Sequence, residues 1–449
     1  MFTKQKIMTV LDTIATYHSM GKTALSSRVG HRFKEKSGNG MKRIKQRDLL
    51  LLAWLFPPII SGGVYRPLSL VRYGTELGWK ISVICGTVWD KPTTAGSYLL
   101  QFVPKEVALW RLKDANHHPS YLWSPRISGG FDNALRIFSV GKKVLQDNPP
   151  ATILATGPPF HSFVAAYYLA RYFRSKLVLD YRDEWTECPF DFVQLGNADR
   201  KWETICLQHA DRVFFTTDSQ RSHQLASFPI LDPKKCRVIP NGWEPDGFVN
   251  GSIHQDGKEQ DAQRDVRKRS ISYIGTLGKH SLPGKFLRAV ETILRRREDL
   301  RNSLEFQFVG QADTVASKEV QEFPFKENIR LIRLVPKDIA IRMMEDSNAL
   351  LLLNNEQLSR YIPGKIYDYM ASGTPILVFG NGGEIGSLVT KLQRGFVVDE
   401  NDVDALENIL DTLVSYNIKM ERNDKFNEWL SLHTRKKLTE KMLVDIENL

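Results

Sequence analysis

One segment of the sequence, residues 361–375, combines a loop, a cation, a carboxylate and the two ends of a helix. Pro363 is typical of a helix start, where its missing N–H is not needed, and Gly373 is typical of a helix end. Lys365 and Asp368 are three residues apart, so a helix places both on one face near its N-terminus. An ammonium beside free helix N–H groups suits a diphosphate, and the carboxylate can accept hydrogen bonds from ribose hydroxyls. A surface helix with an ordinary i,i+3 ion pair explains the same residues about equally well.

Two glycine-containing turns can also approach phosphate groups closely. Residues 56–63 lead into a predicted helix, and residues 274–279 follow a predicted strand. Each turn alone is a weak signal, because a simple tight turn uses the same residues. Together with Lys365 and Asp368, at the carboxyl ends of strands, they form a pattern that ordinary turns seldom assemble. The candidate ligand-binding residues of these turns are Gly62, Gly63, Gly275, Thr276, Gly278 and Lys279.

The apolar pattern predicts an α/β protein with two Rossmann-like domains. Short apolar runs alternate with helical stretches, which is the signature of parallel sheets built from βαβ units. We predict a first domain over residues 48–249, a polar linker over 250–270, a second domain over 271–425 and a C-terminal helix over 426–449. An interdomain cleft is the usual place for a ligand. The predicted strands lie at residues 49–54, 81–85, 152–155, 176–179, 213–216, 237–239, 271–274, 306–309, 349–353, 376–378 and 396–398.

Composition narrows the class of protein. The chain has 449 residues, of which 25% are charged and 42% hydrophobic, which is ordinary for a soluble globular protein. The longest apolar run, residues 49–60, is broken by prolines and is shorter than the ~20 residues of a membrane-spanning helix. No secretory signal precedes it, so we read it as a buried strand. The cysteines have no C-x-x-C spacing, which predicts a reducing, cytoplasmic location and no zinc site or disulfide framework; they are Cys85, Cys188, Cys206 and Cys236.

The net charge of +11 is concentrated in residues 1–47, a basic N-terminal extension. It lacks a nucleic-acid-binding motif and interleaved aromatic residues, so we expect no nucleic-acid partner. A solvated tail is the favoured interpretation. The alternatives are a basic amphipathic helix on an anionic membrane, and a true start at Met41. Apolar and aromatic residues of the first domain also motivate peripheral membrane contact; they are Phe102, Trp110, Tyr121 and Trp123.

Several motifs resemble those of bacterial glycosyltransferases of family 4, in the same order along the chain. The resemblance spans residue 48 to about residue 449. The most specific motifs are Ile239-Pro240-Asn241-Gly242 and Pro363-Gly364-Lys365; the others lie at residues 56–63, 155–159, 180–185 and 275–278. The resemblance implies the GT-B fold, a nucleoside-diphosphate sugar donor bound by the C-terminal half, an acceptor bound by the N-terminal half, retention of anomeric configuration and metal independence. The lack of an Asp-x-Asp motif in a suitable loop agrees with metal independence.

The resemblance also assigns roles to site residues. It makes Lys365 the phosphate-binding lysine and puts Asp368 in the place of a ribose-binding glutamate that is one methylene longer. Thr276 stands where many members have an arginine, so one candidate phosphate clamp is missing. Many members also have a histidine near the reacting sugar; His117-His118 reads instead as a surface-loop pair.

Asp183 is the candidate for orienting a sugar hydroxyl or the acceptor, with Arg182 as a second polar contact. A loop carboxylate that pairs with Arg182 or caps a helix explains Asp183 equally well. Glu384 is expected near the pocket of Lys365, although a carboxylate at a helix N-terminus is an equal alternative. Lys365, Lys279 and the N–H groups of the glycine turns would stabilise the charge that grows on the leaving diphosphate.

The predicted function is transfer of a sugar from a nucleoside-diphosphate sugar to a polysaccharide, lipopolysaccharide or glycolipid acceptor at the cytoplasmic membrane face. We expect a metal-independent hexosyl-type enzyme that uses this co-substrate and no cofactor. Two other classes remain open. A nucleotide-sugar 2-epimerase would need acid/base carboxylates and histidines on both sides of the sugar, a set that is not evident. A non-catalytic nucleotide-sugar-binding or scaffold protein is suggested by the changes at Thr276 and Asp368.

Overall fold

The computed structural model describes residues 47–87, 94–114, 125–246, 268–380 and 382–449. Its residues form two compact units. The first, called here the first domain, comprises the described residues up to Ile239 together with Thr439–Leu449, and the second domain comprises the described residues from Pro240 to Leu438. The basic extension before Arg47, most of the predicted linker, Tyr121, Trp123 and His117-His118 lie outside the described residues.

The first domain contains a seven-stranded parallel sheet with strand order β3-β2-β1-β4-β5-β6-β7. Strands β1 and β4 are buried along their whole length, which explains their continuous apolar sequence. The strands are β1 (Asp48–Leu52), β2 (Lys80–Gly86), β3 (Ala108–Leu112), β4 (Thr152–Gly157), β5 (Lys176–Tyr181), β6 (Arg212–Phe215) and β7 (Cys236–Val238). The helices between them are α1 (Tyr65–Glu76), α2 (Thr94–Leu100), α3 (Phe131–Val144), α4 (His161–Phe173), α5 (Asp199–His209) and α6 (Asp218–Ser227).

The second domain contains a six-stranded parallel sheet with strand order β10-β9-β8-β11-β12-β13. Its strands are β8 (Arg269–Ile274), β9 (Leu304–Val309), β10 (Ile329–Ile332), β11 (Ala349–Leu353), β12 (Ile376–Phe379) and β13 (Gly395–Val398). The helices that follow β8 in the chain are α7 (Gly284–Arg296), α8 (Glu298–Ser303), α9 (Thr314–Glu322), α10 (Lys337–Asp346), α11 (Lys365–Ser372), α12 (Gly383–Lys391), α13 (Val403–Ser415), α14 (Asp424–Leu432) and α15 (Arg435–Glu447). Apolar clusters cover both faces of the sheet.

The predicted fold class, two Rossmann-like domains with parallel sheets, is confirmed. Every predicted strand is present, and the pattern missed only β3 and β10 among the described strands. Both are edge strands whose side chains are mostly part-exposed, so neither has the continuous apolar run of a central strand. The C-terminal segment is two helices, α14 and α15, instead of one, and β8 begins at Arg269, inside the predicted linker.

Each sheet has one point where its strand order reverses, and such points are where open α/β sheets bind ligands. In the first domain this point lies between β1 and β4, and in the second between β8 and β11. The loops after these four strands therefore have the positions that a ligand site requires. No helix within the described ranges is both long enough and apolar enough to cross a membrane.

Candidate functional site

Helix α11 presents the predicted lysine at the reversal point of the second sheet. It begins at Lys365, two residues after Pro363, and ends before Gly373, whose φ of +80° is the left-handed conformation of a helix C-terminus. The side chain of Lys365 lies over the turn that follows β8. A Cβ built on Gly275 would lie 3.5 Å from Nζ of Lys365, and Gly275 itself has a φ of +150°. A side chain at position 275 would therefore be strained by this φ, and its Cβ would be in van der Waals contact with the ammonium.

The ammonium of Lys365 contacts an aromatic face. Its Nζ lies 3.6 Å from the centroid of the Tyr273 ring, and the Tyr273 hydroxyl donates a 2.8 Å hydrogen bond to the carbonyl of Thr276. The ring is thus fixed under the ammonium by the same glycine turn. Lys365 forms no ion pair with any residue that the structure describes. A positive charge that is held in place and not neutralised can bind an anion.

Asp368 pairs with a residue that the sequence pattern did not indicate. Its Oδ2 accepts a hydrogen bond from Nζ of Lys337, the first residue of α10. Its other oxygen, Oδ1, is buried and has no partner among the described residues, and Asp368 as a whole is 6% exposed. The alternative of a surface helix with a Lys365–Asp368 ion pair is therefore wrong. The motif instead presents one unneutralised cation and one buried acceptor.

The other predicted donor-site residues of the second domain lie in the turn after β8 and in the first turn of α12, whereas the predicted Gly62 and Gly63 lie in the first domain. Thr276 and Lys279 are exposed, while Gly278 has its Cβ position 3.1 Å from Oδ2 of Asp313. Glu384 lies in the first turn of α12, as expected from the alternative interpretation that it is a carboxylate at a helix N-terminus. Its N–H donates a 2.9 Å hydrogen bond to the carbonyl of Ser359. This bond ties α12 to the loop that follows β11.

The first domain places Gly63 against Arg182 at its own reversal point. A Cβ on Gly63 would come within 3.1 Å of Nη2 of Arg182, whereas a Cβ on Gly62 would meet no atom within 4 Å. Of the two predicted glycines, only Gly63 is therefore required by packing, because a side chain there would lie too close to the guanidinium of Arg182. The two glycines begin a short 3-10 turn that runs into α1.

A buried ionic network fixes that guanidinium. Asp180, at the end of β5, accepts hydrogen bonds from Nε and Nη2 of Arg66, the shortest of which is 2.7 Å long. It accepts another, of 2.9 Å, from the hydroxyl of Thr156. Thr156 in turn accepts a 3.0 Å hydrogen bond from Nη1 of Arg182, whose Nη2 donates to the carbonyl of Pro158. Sequence reasoning missed Arg66, Asp180 and Thr156. The signals that could have found them were that Asp180 belongs to the same motif as Arg182 and that Thr156 lies in the motif at residues 155–159.

Asp183 has the character of a functional carboxylate. Its side chain makes no hydrogen bond or ion pair within the described part of the chain, because Arg182 is directed to Thr156 and Pro158. The alternatives of an Arg182–Asp183 hydrogen-bonded pair and of a helix cap are therefore not observed. Burial raises the pKa of Asp183 to about 6, an effect that the charge of Arg182 opposes and that of Glu184 reinforces. Perturbed pKa values of this kind are enriched at functional sites.

The helix that follows β4 begins with a buried histidine. His161 begins α4 and packs edge-on against Trp54 with ring centroids 4.6 Å apart. Burial lowers its pKa to about 3, so the imidazole is neutral near pH 7. His161 cannot act as a cationic group there. The described residues contain no cluster of three or more His, Cys, Asp or Glu side chains that could hold a metal ion.

Two Rossmann-like domains, each with polar groups gathered at its strand-order reversal, define the GT-B class of protein. Family comparison agrees over both domains. Residues 61–242 match the glycosyl transferase 4-like domain, and residues 268–415 match the glycosyl transferases group 1 domain. The chain therefore belongs to the group 1 glycosyltransferases. No curated protein matches its sequence.

Solved structures with the same fold are distant in sequence. Trehalose-6-phosphate synthase, described in a study of glycosyl transfer with retention, has a TM-score of 0.64 at 12% identity and covers 90% of this chain and 99% of its own. Anabaena Alr3699/HepE, in complex with UDP and glucose, has a TM-score of 0.60 at 12% identity over 90% of this chain and 100% of its own. WaaG, a glycosyltransferase of lipopolysaccharide biosynthesis, has a TM-score of 0.59 at 13% identity over 89% of this chain and 99% of its own.

Proposed function

We propose that this glycosyltransferase is a retaining, metal-independent enzyme that moves a hexosyl group from a nucleoside-diphosphate sugar to a polysaccharide, lipopolysaccharide or glycolipid acceptor. The observation that carries the proposal is the pair formed by the unneutralised ammonium of Lys365 and the buried Oδ1 of Asp368 on one helix, at the reversal point of the second sheet. Proteins of the same fold support it: HepE binds UDP and glucose, and WaaG acts in lipopolysaccharide biosynthesis.

Each group has a defined task in this proposal. The bond between the anomeric carbon and the diphosphate oxygen breaks, and negative charge grows on the diphosphate as it leaves. Lys365 would stabilise that charge by several kcal/mol. The N–H groups of Gly275 and Leu277, which the sequence also suggested for this role, donate instead to the carbonyls of Val309 and Gln311. Lys279, exposed on the same turn, would add long-range attraction for the anion.

The acceptor is assigned to the first domain. Asp183 would accept a hydrogen bond from the acceptor hydroxyl that attacks the anomeric carbon, since its carboxylate has no partner of its own among the described residues. Arg182, held by Thr156 next to Gly63, would face an anionic or hydroxylated part of the substrate. The predicted cleft that would bring both domains to one substrate stays a prediction.

A donor screen tests the proposal. Purified protein is incubated with a panel of nucleoside-diphosphate sugars and lipid-linked or oligosaccharide acceptors, and released nucleoside diphosphate is measured. We expect release that depends on the acceptor, that needs no added divalent cation and that is lost in Lys365→Ala. Lys391→Ala, which removes an exposed lysine at the end of α12, is the matched control and should keep full activity.

Two outcomes would point to other functions. Isomerisation of the donor sugar without an acceptor would indicate an epimerase. Absence of binding to every nucleotide sugar, measured by calorimetry, would indicate a scaffold protein.

Peripheral membrane association is a separate part of the proposal. The aromatic residues that first suggested it are only partly available, because Phe102 and Trp110 pack against apolar clusters of the first domain. Tyr98 on α2 is 57% exposed and is a better candidate. The full chain should float with anionic liposomes at low salt and dissociate at high salt. A protein that stays at the bottom of the gradient would favour a soluble acceptor.

A further inference from the structure

The ion pair between Lys337 and Asp368 joins the first turns of two helices. Lys337 begins α10 and Asp368 lies in the first turn of α11. The Lys337 side chain is 39% exposed, whereas that of Asp368 is 9% exposed. The lysine therefore reaches from the surface inward to a carboxylate that solvent scarcely contacts.

The pairing leaves the carboxylate half-satisfied. Lys337 occupies Oδ2, while Oδ1 is buried without a partner among the described residues. A buried carboxylate oxygen that receives no hydrogen bond is costly, and nearly all buried polar groups in folded proteins have a hydrogen-bond partner. Such an oxygen can accept a hydroxyl hydrogen, but it cannot bind a phosphate, which would be repelled by its charge. The missing partner is therefore a hydroxyl or N–H donor.

We propose that Lys337 is a positioning residue for donor recognition, which holds Oδ2 of Asp368 so that Oδ1 is presented to a ribose hydroxyl of the nucleoside diphosphate. The inference rests on the proposed function, because it requires a nucleoside-diphosphate donor. It also explains how this chain uses an aspartate where the resemblance leads us to expect a glutamate. The side chain of aspartate is shorter than that of glutamate, and its salt bridge to Lys337 on α10 fixes the orientation in which Oδ1 would accept a hydrogen bond from the ribose.

The proposal predicts a specific pattern of selectivity. A charge-assisted hydrogen bond from a ribose hydroxyl to Oδ1 should favour a ribonucleotide over its 2′- or 3′-deoxy analogue by about tenfold to a hundredfold. Removing the charge of Lys337 frees Asp368 to rotate or to take up solvent. The ribonucleotide then loses most of its advantage, while the deoxynucleotide, which never used Oδ1, binds almost as before.

The test is a calorimetric titration of the full chain. UDP, GDP and ADP are titrated first, and the tightest binder is then compared with its 2′-deoxy and 3′-deoxy forms. The variants are Lys337→Met, which keeps the aliphatic stem, Lys337→Arg, which keeps a cation, and Asp368→Asn. The matched control is Arg342→Met, which breaks the exposed 3.1 Å pair with Asp338 on the same helix. Circular dichroism shows whether each variant is folded.

We expect Lys337→Met and Asp368→Asn to reduce the ribose preference to less than about threefold, Lys337→Arg to restore part of it, and Arg342→Met to leave it unchanged. A folded Lys337→Met that retains the full preference would overturn the inference. Equal weakening of ribose and deoxyribose forms would also overturn it, since Lys337 would then act only as a general attractor of anions. If the wild-type chain binds none of the nucleotides, the proposed function itself fails, and this outcome is distinct from bound nucleotides with an unchanged preference.

Discussion

Replacing Asp183 by asparagine should stabilise the first domain while it impairs transfer. Burial raises the pKa of Asp183 from its ordinary 3.8 to about 6, so the folded protein disfavours the ionised carboxylate. Asparagine has nearly the same shape and carries no charge. A charged group that destabilises the fold is expected where function requires the charge.

The size and the pH dependence of the effect follow from linkage. A shift of roughly two pKa units corresponds to about 3 kcal/mol, and because Asp183 is part-exposed we expect about 1 to 3 kcal/mol. Between pH 4 and pH 6 the folded state binds more protons than the unfolded state, so stability falls as the pH rises through this window. The gain from Asp183→Asn is therefore complete above about pH 6 and nearly absent at about pH 4.

Urea unfolding of wild type and variant at about pH 8 and about pH 4 measures this difference. Asp147→Asn is the control, because Asp147 is exposed and undergoes the same change of charge. Nucleoside diphosphate release under the same buffers measures the functional half. If Asp183→Asn is less stable than wild type at pH 8, the carboxylate has a native partner and our view of its surroundings is wrong. If it is as active as wild type, Asp183 does not contact the acceptor.

Other predictions concern the elements that position the site. Asp180→Asn leaves the buried guanidinium of Arg66 without its counter-charge and should lower the free energy of unfolding by about 3 to 5 kcal/mol in urea titrations. Glu322→Gln, which breaks the exposed Lys318–Glu322 pair, should change the free energy of unfolding by less than about 1 kcal/mol. Similar effects of the two substitutions would show that Asp180 does not stabilise the first domain through Arg66. Gly380→Ala should cost about 3 kcal/mol or more, because φ is +111° and a Cβ would lie 2.0 Å from the carbonyl oxygen of Asn354. Gly364→Ala, with a φ of −55° and open space around its Cβ position, should be neutral or slightly stabilising, and equal thermal shifts of the two variants would contradict this reading.

Local spacing was the part of the site that the sequence could predict. The helix that carries Lys365 and Asp368 depends on i,i+3 geometry and on a glycine at its end, and both are encoded within ten residues. The central strands were equally accessible, because strands buried on both faces are continuous apolar runs. Edge strand β10 was missed because it is only four residues long, includes Arg330 and has no fully buried side chain.

Partners from distant parts of the chain were not predictable. Lys337 lies 31 residues from Asp368, and Arg66 lies 114 residues from Asp180. The packing of the helices and the strand order determine which cation pairs with which carboxylate. Neither produces a periodic pattern in the sequence. The same limit applies to Asp183, which lacks an Arg182 partner only because the guanidinium is held by Thr156 and Pro158.

The central claim is that Lys365 binds the diphosphate of a nucleotide donor. It is tested most directly by the affinity of wild type and Lys365→Ala for the preferred nucleoside diphosphate, compared with their affinity for the matching nucleoside without phosphates. We predict that the substitution weakens diphosphate binding by about tenfold to a hundredfold and leaves nucleoside binding unchanged, because a charge-assisted hydrogen bond is lost only with the phosphates. Equal diphosphate affinity in the two proteins, with Lys391→Ala as the control, would contradict the account.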